Sequence, residues 1–163
     1  MELPKRKPTR MKGFDYSTNA AYFITICTHN RTNILCDIVG AGSARPKPAG
    51  IIAEKYIHKM VEKYENIAVD KYVIMPNHIH LLLIIDNNGT ADPSPTVSRV
   101  IGWYKYVVTK EICQTAGSED NRIFQRSFHD HIIRGEKDYR KIYEYIESNP
   151  SIWIEDCFYK ENL

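Results

Sequence analysis

The chain has no run of 18 or more apolar residues among its 163, so no helix of membrane-spanning length is expected. Its basic first dozen residues, with Lys5, Arg6, Lys7, Arg10 and Lys12, lead into no apolar stretch of the kind that directs export. The protein is therefore expected in the cytoplasm. Cysteine is scarce: Cys27, Cys36, Cys113 and Cys157 show no C-x-x-C spacing, which argues against a zinc knuckle or a dithiol redox pair and leaves unpaired thiols. Internal repeats and low-complexity tracts are missing too, so a solenoid is not expected. Charge of one sign is also lacking. The 22 Lys and Arg against 20 Asp and Glu leave a net charge of +2, too little by itself to argue for a nucleic-acid partner.

What is present fits one soluble domain, with 43% hydrophobic and 26% charged residues. A single domain over 1–163, with 1–12 as a basic tail, is the expected organisation. Ala21 to Thr28 is rich in β-branched and aromatic residues and reads as a strand. Cys36 to Gly50 holds several Gly and Pro residues without periodicity and reads as a loop, a linker more than a DNA-contacting insertion. Ile52, Tyr56, Ile57, Met60, Val61 and Tyr64 then mark one face of a helix over Ile51–Tyr64. Two strands follow, Ala68–Met75 and His78–Ile85, joined by the turn-forming pair Pro76-Asn77. Beyond a polar loop, Asp86–Pro95, the residues Val97, Val100, Ile101, Tyr104 and Val108 give a second amphipathic helix. Phe124–Arg134 reads as a fourth strand and Lys137–Ser148 as a last helix, limited by Pro150. This order is that of an α+β, ferredoxin-like split βαβ with one helix appended. Its antiparallel sheet is expected to carry helices on one face and leave the other open.

His78-Ile79-His80 is the most informative tripeptide. Residues i and i+2 of a strand project from the same face, so the two imidazoles can hold one metal ion. Two core histidines bonded to backbone carbonyls would look the same in sequence, and a metal site also needs a third ligand and a reacting group. On the last helix, Tyr139, Ile142, Tyr143 and Ile146 form the apolar stripe, while Tyr145 falls off its centre. Asn149 stands four residues beyond Tyr145, so a phenol and an amide can sit side by side. By spacing alone, these remain compatible with a surface tyrosine and a helix-ending asparagine.

Basic residues crowd the second half, among them Arg99, Lys105, Arg126 and Arg134, interleaved with Trp103, Tyr104, Tyr106, Phe124 and Phe128. Cations can meet phosphates while rings stack on bases, which suits single-stranded nucleic acid; a solvated face is the alternative.

Four blocks, taken together, closely resemble the REP-associated tyrosine transposases, relatives of the single-tyrosine HUH transposases of small insertion sequences. They are Tyr22–Thr28, Val73–His80, Phe124–Arg134, and Asp138-Tyr139-Arg140 through Tyr145-Ile146 to Asn149-Pro150. The resemblance implies a ferredoxin-like HUH nuclease fold with His78 and His80 as metal ligands and Tyr145 as nucleophile. Asn149 is similar to the family's third ligand, and Mg²⁺ or Mn²⁺ is the implied ion. Gln125, Arg126, His131 and Arg134 match a block near the active site, and together with Arg99 and Lys105 they are the expected DNA contacts. The implied substrate is single-stranded DNA with a hairpin or palindrome, cut through a 5′-phosphotyrosine and rejoined. The relatives include dimers with shared sites and monomers, so either state is compatible. A DNA-binding protein that has kept the fold without turnover is the rival reading, and a globular protein with core histidines and no DNA role is another.

Overall fold

A computed structural model of the chain describes residues 20–86 and 95–161. The basic tail and most of the Asp86–Pro95 loop lie outside the described residues. Four antiparallel strands form the main sheet in the order β4-β5-β1-β6, where β1 is Ala20–Cys27, β4 is Ile67–Ile74, β5 is His78–Ile85 and β6 is His129–Ile132. Helices α1 (Pro48–Lys63) and α2 (Val97–Ala116) cover one face, and α3 (Glu136–Ser148) is appended on the other. The expected ferredoxin-like α+β architecture is therefore what forms. Among the described residues no helix is long and apolar enough to cross a membrane.

The strand period sorts the side chains of β5 between the two faces. Ile79, Leu81, Leu83 and Ile85 join Tyr22, Ile24 and Ile26 of β1 against Ile57, Met60, Val100, Ile101 and Tyr104 of the two helices. His78, His80 and Leu82 point the other way. That second face is not open as expected, because α3 crosses it and buries Leu82 and Ile146. A strand covered on both faces is apolar throughout rather than alternating, which is why Leu81-Leu82-Leu83-Ile84-Ile85 shows no polar position.

A β-bulge docks α3. The register of β4 on β5 shifts between Val69 and Lys71, leaving Asp70 as the extra residue. Both Asp70 and Lys71 then reach the same helix. The Tyr139 hydroxyl donates to Asp70, while the Lys71 ammonium pairs with Glu147 at 3.0 Å and lies 4.6 Å above the Tyr143 ring.

Two segments differ from expectation. The stretch read as a Cys36–Gly50 loop contains a hairpin, β2 (Cys36–Val39) and β3 (Ser43–Pro46), and α1 begins at Pro48. Its strands are only four residues long and β3 is exposed throughout, so no burial pattern marked it; Pro48 at the first helical position suits the start of α1. Of the expected strand Phe124–Arg134, only His129–Ile132 pairs along β1. Phe124 makes a single bridge to Thr28, and the intervening turn is tied down by Lys105, whose ammonium donates to the carbonyls of Gln125 and Arg126.

Candidate active site

The turn between β4 and β5 brings His78 onto the sheet opposite Cys27, and His80 opposite Thr25. Both imidazoles are buried, with ring centroids 4.5 Å apart. They do not bond to backbone carbonyls, as core histidines would. The Nδ1 of His78 lies 2.9 Å from the side-chain oxygen of Asn77. Asn77 is itself fully buried and donates its amide N–H groups to the carbonyls of Arg31 and Phe158. Its Oδ1 must therefore accept, so the proton of His78 sits on Nδ1 and the lone pair on Nε2. His80 Nδ1 meets Thr25 Oγ1 at 2.9 Å. The two Nε2 atoms are buried and have no hydrogen-bond partner.

From α3, Tyr145 approaches with its ring centroid 5.3 Å from that of His80, and Phe23 of β1 touches both rings. Asn149 follows at the end of the helix, fully buried, in the position four residues on. Its Oδ1 is the third buried atom of the site without a hydrogen-bond partner. Its carboxamide lies near enough to His78 to favour that ring's protonated form. The 3-10 segment Asn149–Glu155 then leads to Asp156. Asp156 Oδ2 accepts from the Tyr145 hydroxyl at 3.2 Å and from Asn149 Nδ2 at 3.0 Å. Ligand atoms of His78, His80 and Asp156 lie within 4.8 Å of one another and could hold a metal ion.

Electrostatics suit such an ion. Burial pushes His78 down to about 4, against the opposing pull of Asp156, and holds His80 well below its ordinary value, with His78 adding to the effect. Both are neutral at pH 7, the form that ligates. Burial, reinforced by the Asp156 carboxylate, raises Tyr145 to about 12. At the ordinary value near 10, about one phenol in a thousand is ionised at pH 7, and here the fraction is about a hundredfold lower.

The expected DNA contacts divide. In the antiparallel pairing of β6 with β1, His129 stands opposite Thr25 and His131 opposite Phe23, so both imidazoles share the sheet face of His80. His131 Nε2 lies 2.9 Å from Asp138. Gln125 hydrogen-bonds through its backbone N–H to Cys27, at the His78 end of β1, and Arg126 beside it is exposed. Arg134 is at the other end of β6, where its N–H bonds to Asp138 at the start of α3. Arg99 is not brought to this face. It sits in the first turn of α2, beside Tyr64 of the helical layer. The interleaved aromatics belong mostly to the core: Tyr104, Phe124 and Phe128 are buried, Trp103 packs edge-on against Tyr56 and Tyr64, and Tyr106 alone of the five is well exposed. Alternation along a sequence does not tell which side of a helix carries the rings.

Three residues were missed by sequence reasoning. Asp156 lies past Pro150, where no periodicity remains to place it, and Asn77 reads as an ordinary turn residue. Arg31, beside the site at the end of β1, adopts a left-handed backbone (φ 53) next to Asn30 (φ 54), and its guanidinium lies 5.1 Å above the Phe158 ring. Nothing short of coordinates marks that strain.

Comparisons with known proteins bear on the family and the fold. Residues 16–149 match the family described as IS200-like transposase. A Haemophilus influenzae protein without a functional name is 30% identical over 94% of this chain and 93% of its own length. Another from the same organism, named "Putative REP-associated tyrosine transposase", is 28% identical over 83% of this chain and 73% of its own length. Among solved structures, a REP-associated tyrosine transposase bound to a REP hairpin superimposes with a TM-score of 0.57, at 19% identity, covering 93% of this chain and 78% of that one. The chain belongs to the family of IS200-like transposases, and its likeness within that family is to the REP-associated tyrosine transposases.

Proposed function

We propose that this chain cuts and rejoins single-stranded DNA beside a hairpin, with Tyr145 as nucleophile and Mg²⁺ or Mn²⁺ held by His78, His80 and Asn149. One observation carries the reading. Three buried ligand atoms without protein partners, His78 Nε2, His80 Nε2 and Asn149 Oδ1, belong to residues gathered around a phenol of the same chain. Unpartnered polar atoms at full burial cost stability unless something else satisfies them. The DNA part rests on family membership and on the hairpin carried by the solved relative.

In the proposed reaction the bond from Tyr145 Oη to phosphorus forms as the bond from phosphorus to the leaving O3′ breaks, giving a 5′-phosphotyrosine and a 3′-oxyanion that takes a proton from solvent water to become the free 3′-hydroxyl. The phenol's proton leaves towards Asp156 Oδ2, the acceptor of its hydrogen bond. A second 3′-hydroxyl then attacks the same phosphorus and returns Tyr145 to its resting form, so no nucleotide cofactor is consumed. When bound, the cation draws charge from the nonbridging phosphate oxygens and offsets the high cost of ionising the phenol. Asn77 and Thr25 keep the two imidazoles oriented. Gln125 at the His78 end of β1, the exposed Arg126 beside it and His131 on the sheet face of His80 are the proposed strand contacts. Hydroxyl and imidazoles come from one chain, which supports a site that works in a monomer and does not require a homodimer.

The test is a single-stranded palindromic oligonucleotide incubated with the protein and Mn²⁺. A slow-migrating covalent adduct is expected, absent in Tyr145→Phe. An adduct that survives that substitution removes Tyr145 from the role, and hairpin binding without any adduct favours a silent DNA-binding protein.

A further inference from the structure

The family block ends at Asn149-Pro150, but the geometry of the site does not. An ionised carboxylate only accepts hydrogen bonds, so the Asn149 amide can face Asp156 only through its NH₂. The two ends of a carboxamide have nearly the same shape, and packing alone does not choose between them. With Nδ2 held at 3.0 Å by Asp156 Oδ2, Asn149 Oδ1 is the end left for the histidines, and it has no partner in the protein. The same carboxylate oxygen accepts from the Tyr145 hydroxyl at 3.2 Å. Its other oxygen accepts from the Phe158 N–H at 2.7 Å, closing an Asx turn that fixes the carboxylate in turn. Each Asp156 oxygen is thus engaged by a donor of this chain.

We infer that Asp156 is a positioning residue: its carboxylate selects the orientation of the Asn149 amide that offers oxygen to the cation and holds the Tyr145 hydroxyl beside it, instead of ligating the cation itself. The inference rests on the metal reading proposed above. In Asp156→Asn the new amide can present NH₂ to position 149, and Asn149 then turns its own NH₂ towards the histidines. In Asn149→Asp/Asp156→Asn the orientation ceases to matter, because a carboxylate at 149 offers an oxygen in both directions.

The experiment measures Mn²⁺ binding to the DNA-free full chain from the loss of the free-ion electron paramagnetic resonance signal, with circular dichroism confirming that each variant is folded. Asn149→Ala and Asp156→Asn are expected to weaken binding by roughly 10–100-fold, and the exchanged pair to return it to within about threefold of wild type. That rescue stands on its own where Asp156→Asn alone does not fold. Wild-type binding in Asp156→Asn overturns the proposal, as does a folded exchanged pair that binds no better than the single variant. Wild-type binding in Asn149→Ala with loss in Asp156→Asn makes Asp156 the ligand. These outcomes leave the metal reading standing; a native chain that binds no Mn²⁺ sinks that reading and this proposal together.

Discussion

Acidifying the metal-free protein probes the burial of the histidine pair. His78 is fully buried, and burial holds it at about 4 against an ordinary 6.5. The unfolded chain takes up a proton through 6.5, whereas the folded chain refuses it until about 4. That gap of about 2.5 pH units corresponds to about 3 kcal/mol at 1.36 kcal/mol per unit. The contribution is fully present above pH 6.5, falls as the pH drops through the window from 6.5 to 4, and is exhausted below it. His80, lowered in the same direction, adds to the loss. Urea unfolding at half-unit steps from pH 7.5 to 4 measures it, followed by the fluorescence of Trp153, whose ring centroid lies 5.9 Å from that of His78. In His78→Asn the dependence on pH should shrink by about one proton across the window. A wild-type stability that stays level between pH 7 and 4.5, or a slope unchanged in His78→Asn, refutes the reasoning.

Asn77→Ala strips three hydrogen bonds from a fully buried site, and is expected to cost about 2–3 kcal/mol in chemical denaturation. It should also weaken Mn²⁺ binding roughly tenfold or more by freeing the His78 tautomer; unchanged binding would show that the turn does not set it. Gly42→Ala places a Cβ 2.6 Å from the Ser151 Cα at φ +92, so a loss of about 2 kcal/mol is expected. A weaker Mn²⁺ affinity should accompany that loss, because Ser151 lies between Asn149 and Asp156; a protein as stable as wild type would mean that the hairpin moves freely. Arg126→Ala should lower the slope of log hairpin affinity against log salt by about one. Lys105→Met, which loses its bonds to the 125 and 126 carbonyls, should lower the melting temperature and leave that slope alone; the reverse assignment of effects would place Lys105 on DNA.

What could be read from the sequence depended on local periodicity. The two-residue repeat of a strand puts His78 and His80 on one face, and the four-residue step of a helix puts Tyr145 beside Asn149; the first pair lies within one strand, and the second holds because Asn149, the residue that caps α3, still has helical backbone angles. Asp156 joins the site through a 3-10 segment whose backbone departs from helical at Ile152, and no repeat carries a prediction across such a kink. Asn77 has the composition of a turn and does form one, but its side chain faces inward, which only the carbonyls of Arg31 and Phe158 explain. The β2-β3 hairpin was invisible for a related reason. Its strands are short, only Cys36 of β2 is fully buried and β3 is exposed throughout, and Gly40 and Gly42 read as loop while in fact providing the positive φ of its turn.

The additional residue at Asp70 has an evolutionary corollary. With it, sequence neighbours on β4 grip one helix together; in a regular strand they would face opposite ways. The placement of Tyr145 over the histidines thus depends on a count of residues in a strand far from it in sequence. Amino-acid changes along Ile67–Val69 should be absorbed with little effect on chemistry, whereas a one-codon deletion there would swing the whole helix out of alignment while leaving every ligand intact.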